Sequence, residues 1–153
     1  MALASKDIRN VTIAGHNGTG KTSLLEQLLY YSNVISRPEQ VESGKTTSDY
    51  TEEEIARKIS IHSALANISW EGKSLNFIDA PGTADFVGEV ICGFRTCESA
   101  LMVVDARDGA QIETIKLWRN LNKLSKPRAV FLNKMERERV DYDKTFTHLQ
   151  EEF

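Results

Sequence analysis

Gly15-His16-Asn17-Gly18-Thr19-Gly20-Lys21-Thr22 fits the pattern G-x-x-x-x-G-K-[ST] without a mismatch. Each residue type answers a physical demand. Glycines let backbone N–H groups turn inward around an anion, and the following helix adds the positive end of its dipole. Lys21 reaches the β and γ phosphates, and the Thr22 hydroxyl can ligate Mg2+. The context such a loop needs stands on both sides. Ile8 to Ala14 is an apolar, β-branched run that ends on Gly15, and Thr22 to Tyr31 carries Leu24, Leu25, Leu28 and Leu29 on one helical face.

Outward from that unit, Ser32 to about Ile59 sustains neither a period of 2 nor one of 3.6. A loop that long inside a compact domain is functional or mobile. Ser60 to Trp70 and Ser74 to Ile78 read as strands, joined through Glu71, Gly72 and Lys73 as an antiparallel hairpin with a three-residue turn, and Asp79 closes the second. Ala84 to Glu98 reads as a helix and Ala100 to Val104 as a strand ending at Asp105. Ile112, Ile115, Trp118 and Leu121 mark a helix that Pro127 stops. Ala129 to Leu132 is expected as a further buried strand, and Tyr142, Phe146, Leu149 and Phe153 as a helical stripe in the core beside Trp118.

Strands alternating with helices in this way predict an α/β fold: a mainly parallel sheet with one antiparallel strand and helices on both faces. Right-handed crossovers then bring the strand ends at Gly15, Asp79, Asp105 and Asn133 to one edge, where ligands of such sheets bind.

With 153 residues, about a quarter of them Leu, Ile, Val and Phe, the chain has the means for one folded core. Lys and Arg number 19 against 22 for Asp and Glu, giving a net charge of −3, which argues against autonomous DNA binding. Cys92 and Cys97 match neither zinc spacing nor a disulfide framework and are expected as reduced core thiols. No signal peptide or membrane span is expected, so Asn10, Asn17 and Asn67 in N-x-S/T triplets carry no glycosylation meaning, and the location expected is cytoplasmic. His16, His62 and His148 lack metal-ligand spacing, and Arg137-Glu138-Arg139 reads as a solvated loop.

Two further stretches join the phosphate loop. Asp79-Ala80-Pro81-Gly82 ends a strand with a carboxylate that can hold Mg2+ and a glycine whose N–H can meet a γ-phosphate. Asn133-Lys134-Met135-Glu136 follows another strand, where a carboxylate can accept both the ring N–H and the exocyclic amine of guanine, and the stem of Lys134 can cover the purine face.

Across nearly the whole chain these motifs, with Gly44-Lys45-Thr46-Thr47-Ser48-Asp49-Tyr50 and Arg57-Lys58-Ile59-Ser60-Ile61 between them, resemble the N-terminal G domain of translational GTPases of the elongation factor G family. Asp49-Tyr50-Thr51 and Asp85-Phe86-Val87-Gly88-Glu89 look most like its divergent elongation-factor-G-like paralogues. The resemblance implies a P-loop NTPase G domain with switch I at about 32–61 and switch II at about 79–98. It implies a guanine nucleotide, GTP or GDP, held by His16, Asn17, Gly18, Thr19, Gly20, Lys21, Thr22, Ser23, Asp79, Gly82, Asn133, Lys134 and Glu136. Mg2+ would be held by Thr22, Ser60 and Asp79, with hydrolysis served by Lys21, Gly82 and Thr83. A monomer working on the ribosome, and not at a membrane, is implied as well.

The departures from the family pattern are Glu136 for an Asp, Ser60 for a Thr, Lys58 for a glycine and Thr83 for a His that positions the attacking water. A threonine hydroxyl can hold a water but cannot carry positive charge, which predicts slow hydrolysis. The family's last strand and its final guanine-contact motif do not appear after Asn133, so the fold is expected to be incomplete at the C-terminus and nucleotide binding weak. The alternatives are a nucleotide-gated ribosome-binding module with little hydrolysis, a ribosome-protection or release-factor type GTPase, and a metabolic kinase, which leaves Asn133 to Glu136 without a role.

Overall fold

The computed structural model describes residues 4–153. Five strands form one sheet: β1 (Ile8–Ala14), β2 (Ala64–Trp70), β3 (Lys73–Asp79), β4 (Ser99–Asp105) and β5 (Arg128–Asn133), in the order β2-β3-β1-β4-β5. β1 runs parallel to β3 and β4, β4 parallel to β5, and only β2 and β3 pair antiparallel. Chain order reverses on either side of β1. The crevice beyond its carboxyl end is therefore the place where a sheet of this kind takes a ligand.

Helices α1 (Lys21–Tyr31), α2 (Glu52–Arg57), α3 (Val87–Thr96), α4 (Ile112–Lys123) and α5 (Tyr142–Glu152) complete the chain. Because strand side chains alternate in direction, neighbours on β1 and β4 feed opposite cores. Ile13 and Val103 pack with Leu25 and Leu29 of α1, while Ala14 and Met102 pack with Phe94 of α3 and Leu117 and Leu121 of α4. Phe153 stacks on Trp118 with ring centroids 4.1 Å apart, tying the end of α5 to α4.

Several expectations are corrected. The hairpin turn holds Glu71 and Gly72 alone, because Trp70 pairs with Lys73 and both turn residues take positive φ, 47° and 75°, the twist-matched two-residue type. β2 starts at Ala64, not Ser60, because the N–H groups of Ile61 and His62 go to the Glu54 carboxylate and that of Ser63 to Glu89. The helix expected from Ala84 is a 3-10 turn over Ala84–Phe86 before α3 begins. Cys92 faces solvent while Cys97 is buried, both unpaired. The core expected around β5 and α5 is thinner than its apolar pattern suggests. β5 has a single neighbouring strand, so Val130 and Phe131 stay partly exposed, as do Tyr142 and Phe146, which stack on each other. No helix among the described residues is long and apolar enough to cross a membrane.

Candidate nucleotide site

The segment between β1 and α1 wraps a cavity of about 320 Å3 that is lined from four stretches of chain. Gly20 caps α1 in the left-handed region at φ 91°, a position only glycine takes without cost and where any Cβ would strike the Asn133 amide. Gly82 lies over the loop so closely that a Cβ would fall 2.7 Å from the backbone N of Asn17 and against the Lys21 ammonium. Lys21 is buried, and its Nζ donates to the His16 carbonyl at 3.1 Å, as does the Thr19 hydroxyl at 3.0 Å. Burial pulls the Lys21 pKa below its ordinary value, against the attraction of Asp79 and Asp49. An anionic ligand would reverse that penalty.

Beside Lys21 lies a pocket of hard oxygen donors. The Thr22 hydroxyl donates to Asp79 Oδ2 at 2.8 Å, the Ser48 hydroxyl donates to the same oxygen at 3.0 Å, and the Ser60 hydroxyl is 3.3 Å from that of Thr22. Asp79 Oδ1 and both carboxylate oxygens of Asp49 are buried with no hydrogen-bond partner among the described residues. Burial pushes Asp79 up to about 6, with Lys21, Thr22 and Ser48 opposing, and burial also raises Asp49. Orphaned buried carboxylate oxygens beside three hydroxyls fit a small divalent cation. Mg2+ takes one or two carboxylates and draws its remaining oxygens from water and phosphate.

On the far wall, the Asn133 side-chain amide donates to the Thr19 carbonyl at 2.8 Å, across 114 residues of sequence. Lys134, held at φ 62°, reaches the Gly18 carbonyl and pairs with Asp105 at 3.1 Å. Arg137 also pairs with Asp105 at 3.1 Å and lines the cavity, which corrects its reading as part of a solvated loop. Burial pushes Asp105 up, but the Arg107 N–H, Lys134 and Arg137 together hold it below its ordinary value.

The stretch from 32 to 61, which shows no period, is nonetheless built. Glu26, buried on α1, accepts from the backbone N–H of Glu39 at 3.0 Å and of Thr47 at 2.5 Å. Glu54, buried on α2, accepts from the N–H groups of Ile61 and His62, both at 3.0 Å, and from the N–H and hydroxyl of Thr51. Burial raises the Glu54 pKa, yet these four hydrogen bonds overcome it and leave the carboxyl below its ordinary value. Thr51 and Glu54 form a reciprocal cap on α2. The T-x-x-E spacing carried that signal in the sequence. For Glu26, Ser48, Asp49 and Arg137 as site residues no local pattern exists, since only folding places them here, whereas Asp105 is marked by its place at the end of a strand.

Of the residues expected at the site, Asn17, Gly18, Gly20, Lys21, Thr22, Ser23, Ser60, Gly82 and Lys134 line the cavity. Asp79, Thr19 and Asn133 stand behind them through the hydrogen bonds above, and His16 contributes its carbonyl while its Nδ1 is buried without a partner. Thr83 and Glu136 are not part of the lining. Thr83 opens the 3-10 turn without using its hydroxyl, and Glu136 is exposed on the turn after Lys134.

A glycine loop between strand and helix at the switch point of a mostly parallel sheet, with a second loop pinned to it through Asn133 and Lys134, defines a P-loop nucleotide-binding domain. Residues 6–153 match the family described as the elongation factor Tu GTP binding domain, and the chain belongs to that family. It is 39% identical over 146 residues to an elongation factor G-like protein of Mycobacterium tuberculosis, covering 95% of this chain and 20% of that protein. It is 38% identical over 143 residues to the mitochondrial ribosome-releasing factor 2 of Candida dubliniensis, covering 94% and 18%. A crystal structure of a Thermus thermophilus protein superposes with a TM-score of 0.91 at 35% identity, over 94% of this chain and 22% of that one. The chain thus spans about a fifth of the length of these relatives.

Proposed function

We propose that this chain is the GTP-hydrolysing switch domain of an elongation-factor-G-like translation factor, coupling nucleotide state to a conformational step on the ribosome. The observation that carries the reading is the pinning of Asn133 and Lys134 onto the phosphate loop, which puts a guanine-side loop and a triphosphate cradle on one cavity. Names of relatives at 38–39% identity support a ribosomal partner. Segments 32–61 and 79–98 act as switches I and II, and the protein works as a monomer without autonomous DNA binding. A cytoplasmic location goes with this reading.

His16 to Ser23, Asp79 and Gly82 serve the phosphates, and Asn133, Lys134 and Glu136 serve the base. Glu136 swings inward from its exposed turn to do so. Thr22, Ser60 and Asp79 would hold Mg2+, which would supply neutralisation of the phosphate charge. Lys21 adds a fixed cation on the same oxygens, Gly82 offers its N–H to the γ-phosphate, and Thr83 orients water by its hydroxyl alone.

Hydrolysis is therefore slow. Single-turnover hydrolysis with ribosomes, compared between the full-length protein and Thr83→His, is expected to rise at least about tenfold in the variant. An unchanged rate removes Thr83 from the explanation. The position of Thr83 outside the cavity lining favours a second reading, a nucleotide-gated module that acts by occupying a ribosomal site. Multiple-turnover phosphate release separates the two. Retention of ATP in preference to GTP overturns both.

A further inference from the structure

Lys58 ends α2 in a conformation its own side chain makes costly. At φ 55° and ψ 40° it sits in the left-handed region, which glycine enters freely and other L-residues enter at a cost. The turn itself is made by the backbone, with the N–H of Lys58 donating to the Glu54 carbonyl. Glycine would build that turn better, so the local structure gives no reason for a lysine here.

The surroundings supply one. Lys58 lines the phosphate side of the cavity with Lys21, Gly82 and Ser60, and Ser60 follows it by two residues with its hydroxyl 3.3 Å from that of Thr22. The other cations of the wall, Lys134 and Arg137, are both spent on Asp105. Lys58 has no ion-pair partner among the described residues. Its exposure at the rim and its long, flexible stem let its ammonium stay hydrated until an anion arrives.

Resting on the GTPase reading above, we propose that Lys58 is a second phosphate-directed cation, contributed by switch I, that docks on the γ-phosphate of bound GTP. It stabilises the charge that gathers there during hydrolysis, where Thr83 brings none. In that step water attacks the γ-phosphorus, and the bond to the bridging oxygen breaks with its electron pair passing to GDP. The proton of the water ends on the released phosphate. Lys58 neither gains nor loses a proton. It senses the γ-phosphate and so couples the closure of switch I to GTP over GDP.

The test compares Lys58→Gly, Lys58→Met and Lys58→Arg in the full-length protein. Affinities for GDP and for a non-hydrolysable GTP analogue, single-turnover hydrolysis with ribosomes, and the thermal midpoint are all measured. Lys58→Gly is expected to keep or raise the midpoint, because it relieves the backbone. It should leave GDP affinity within about threefold, and should lower both analogue affinity and hydrolysis by roughly 10- to 100-fold, the range for loss of one hydrogen bond to a charged group. Lys58→Met should match it in nucleotide behaviour and Lys58→Arg should retain most of the function. A residue with a merely structural role would move the midpoint and leave the GTP-to-GDP preference alone, and that result overturns the proposal. If the parent binds no guanine nucleotide the GTPase reading itself fails. If the parent binds but does not turn over, the analogue-to-GDP affinity ratio alone decides for or against Lys58.

Discussion

The strap from Glu39 to Ser63 is held by two buried carboxylates, Glu26 from α1 and Glu54 from α2, that accept hydrogen bonds on both oxygens, whereas in the phosphate cradle Asp49 and Asp79 leave three buried oxygens without a partner among the described residues. All four lie within about 4% exposure, so surface exposure alone does not distinguish them. Satisfaction does. A carboxylate that replaces its lost water with four donors becomes a fastener, and the lowered pKa of Glu54 records the exchange. One left short of donors keeps its desolvation cost, and the raised pKa of Asp79 records that. A buried carboxylate in that condition is a candidate cation site.

The largest way to break the contrast is Glu54→Ala, which strands the N–H groups of Ile61 and His62 and removes half of the α2 cap. The strap should lose about 2–5 kcal/mol, from two or more unsatisfied buried donors at 1–3 kcal/mol each. Amide exchange at residues 61 and 62 should speed up by a factor of about 30 or more while β1 and β4 stay protected. Equal acceleration in β4 would show that strap and cradle are one cooperative unit. The same bond set has a pH signature. Because the folded pKa of Glu54 lies below its ordinary value, its stabilisation is present above that value and is lost as pH falls through the folded one.

Asp79→Asn should act in the opposite sense. The folded pKa of Asp79, about 6, lies above the ordinary 3.8, so this group costs stability as pH rises from about 4 to 6 and the cost is complete above that. In nucleotide-free protein the substitution is therefore expected to add about 1–3 kcal/mol at pH 7 and almost nothing below pH 4, read by denaturant unfolding across pH. Mg2+-dependent nucleotide affinity should fall in the same variant. A loss of apo stability at pH 7 would place Asp79 among the fasteners. The smallest expected effect is that of Thr51→Ala, about 1 kcal/mol, since it removes the side-chain cap of α2 but leaves Glu54 its bonds to Ile61 and His62. A larger loss would make the cap, not the carboxylate, the main pin of the strap.

Legibility followed the range of the interactions. The cradle was readable because glycine φ preferences, the run of strand residues and the leucine face of α1 are local properties. The T-x-x-E of α2 is equally local, but the surrounding charges mask it. The apolar run of β5 predicts a buried strand, because the pattern reports hydrophobicity and not whether a second strand lies alongside.

The amino-acid sequence by itself determined the strand, glycine loop and helix around Lys21, the alternation that makes a mostly parallel sheet, and the chemistry offered at Asp79 and Asn133. Each depends on residues within a turn or two of one another. Only the tertiary structure decided that Asn133 grips Thr19 from 114 positions away. It also decided that Asp49 and Asp79 lie together beside Lys21, that Asp105 ties down Lys134 and Arg137, and that Lys58 lines the cavity with no ion-pair partner among the described residues. Those outcomes depend on the order and register of the strands, which bring distant residues together and set which charges find partners.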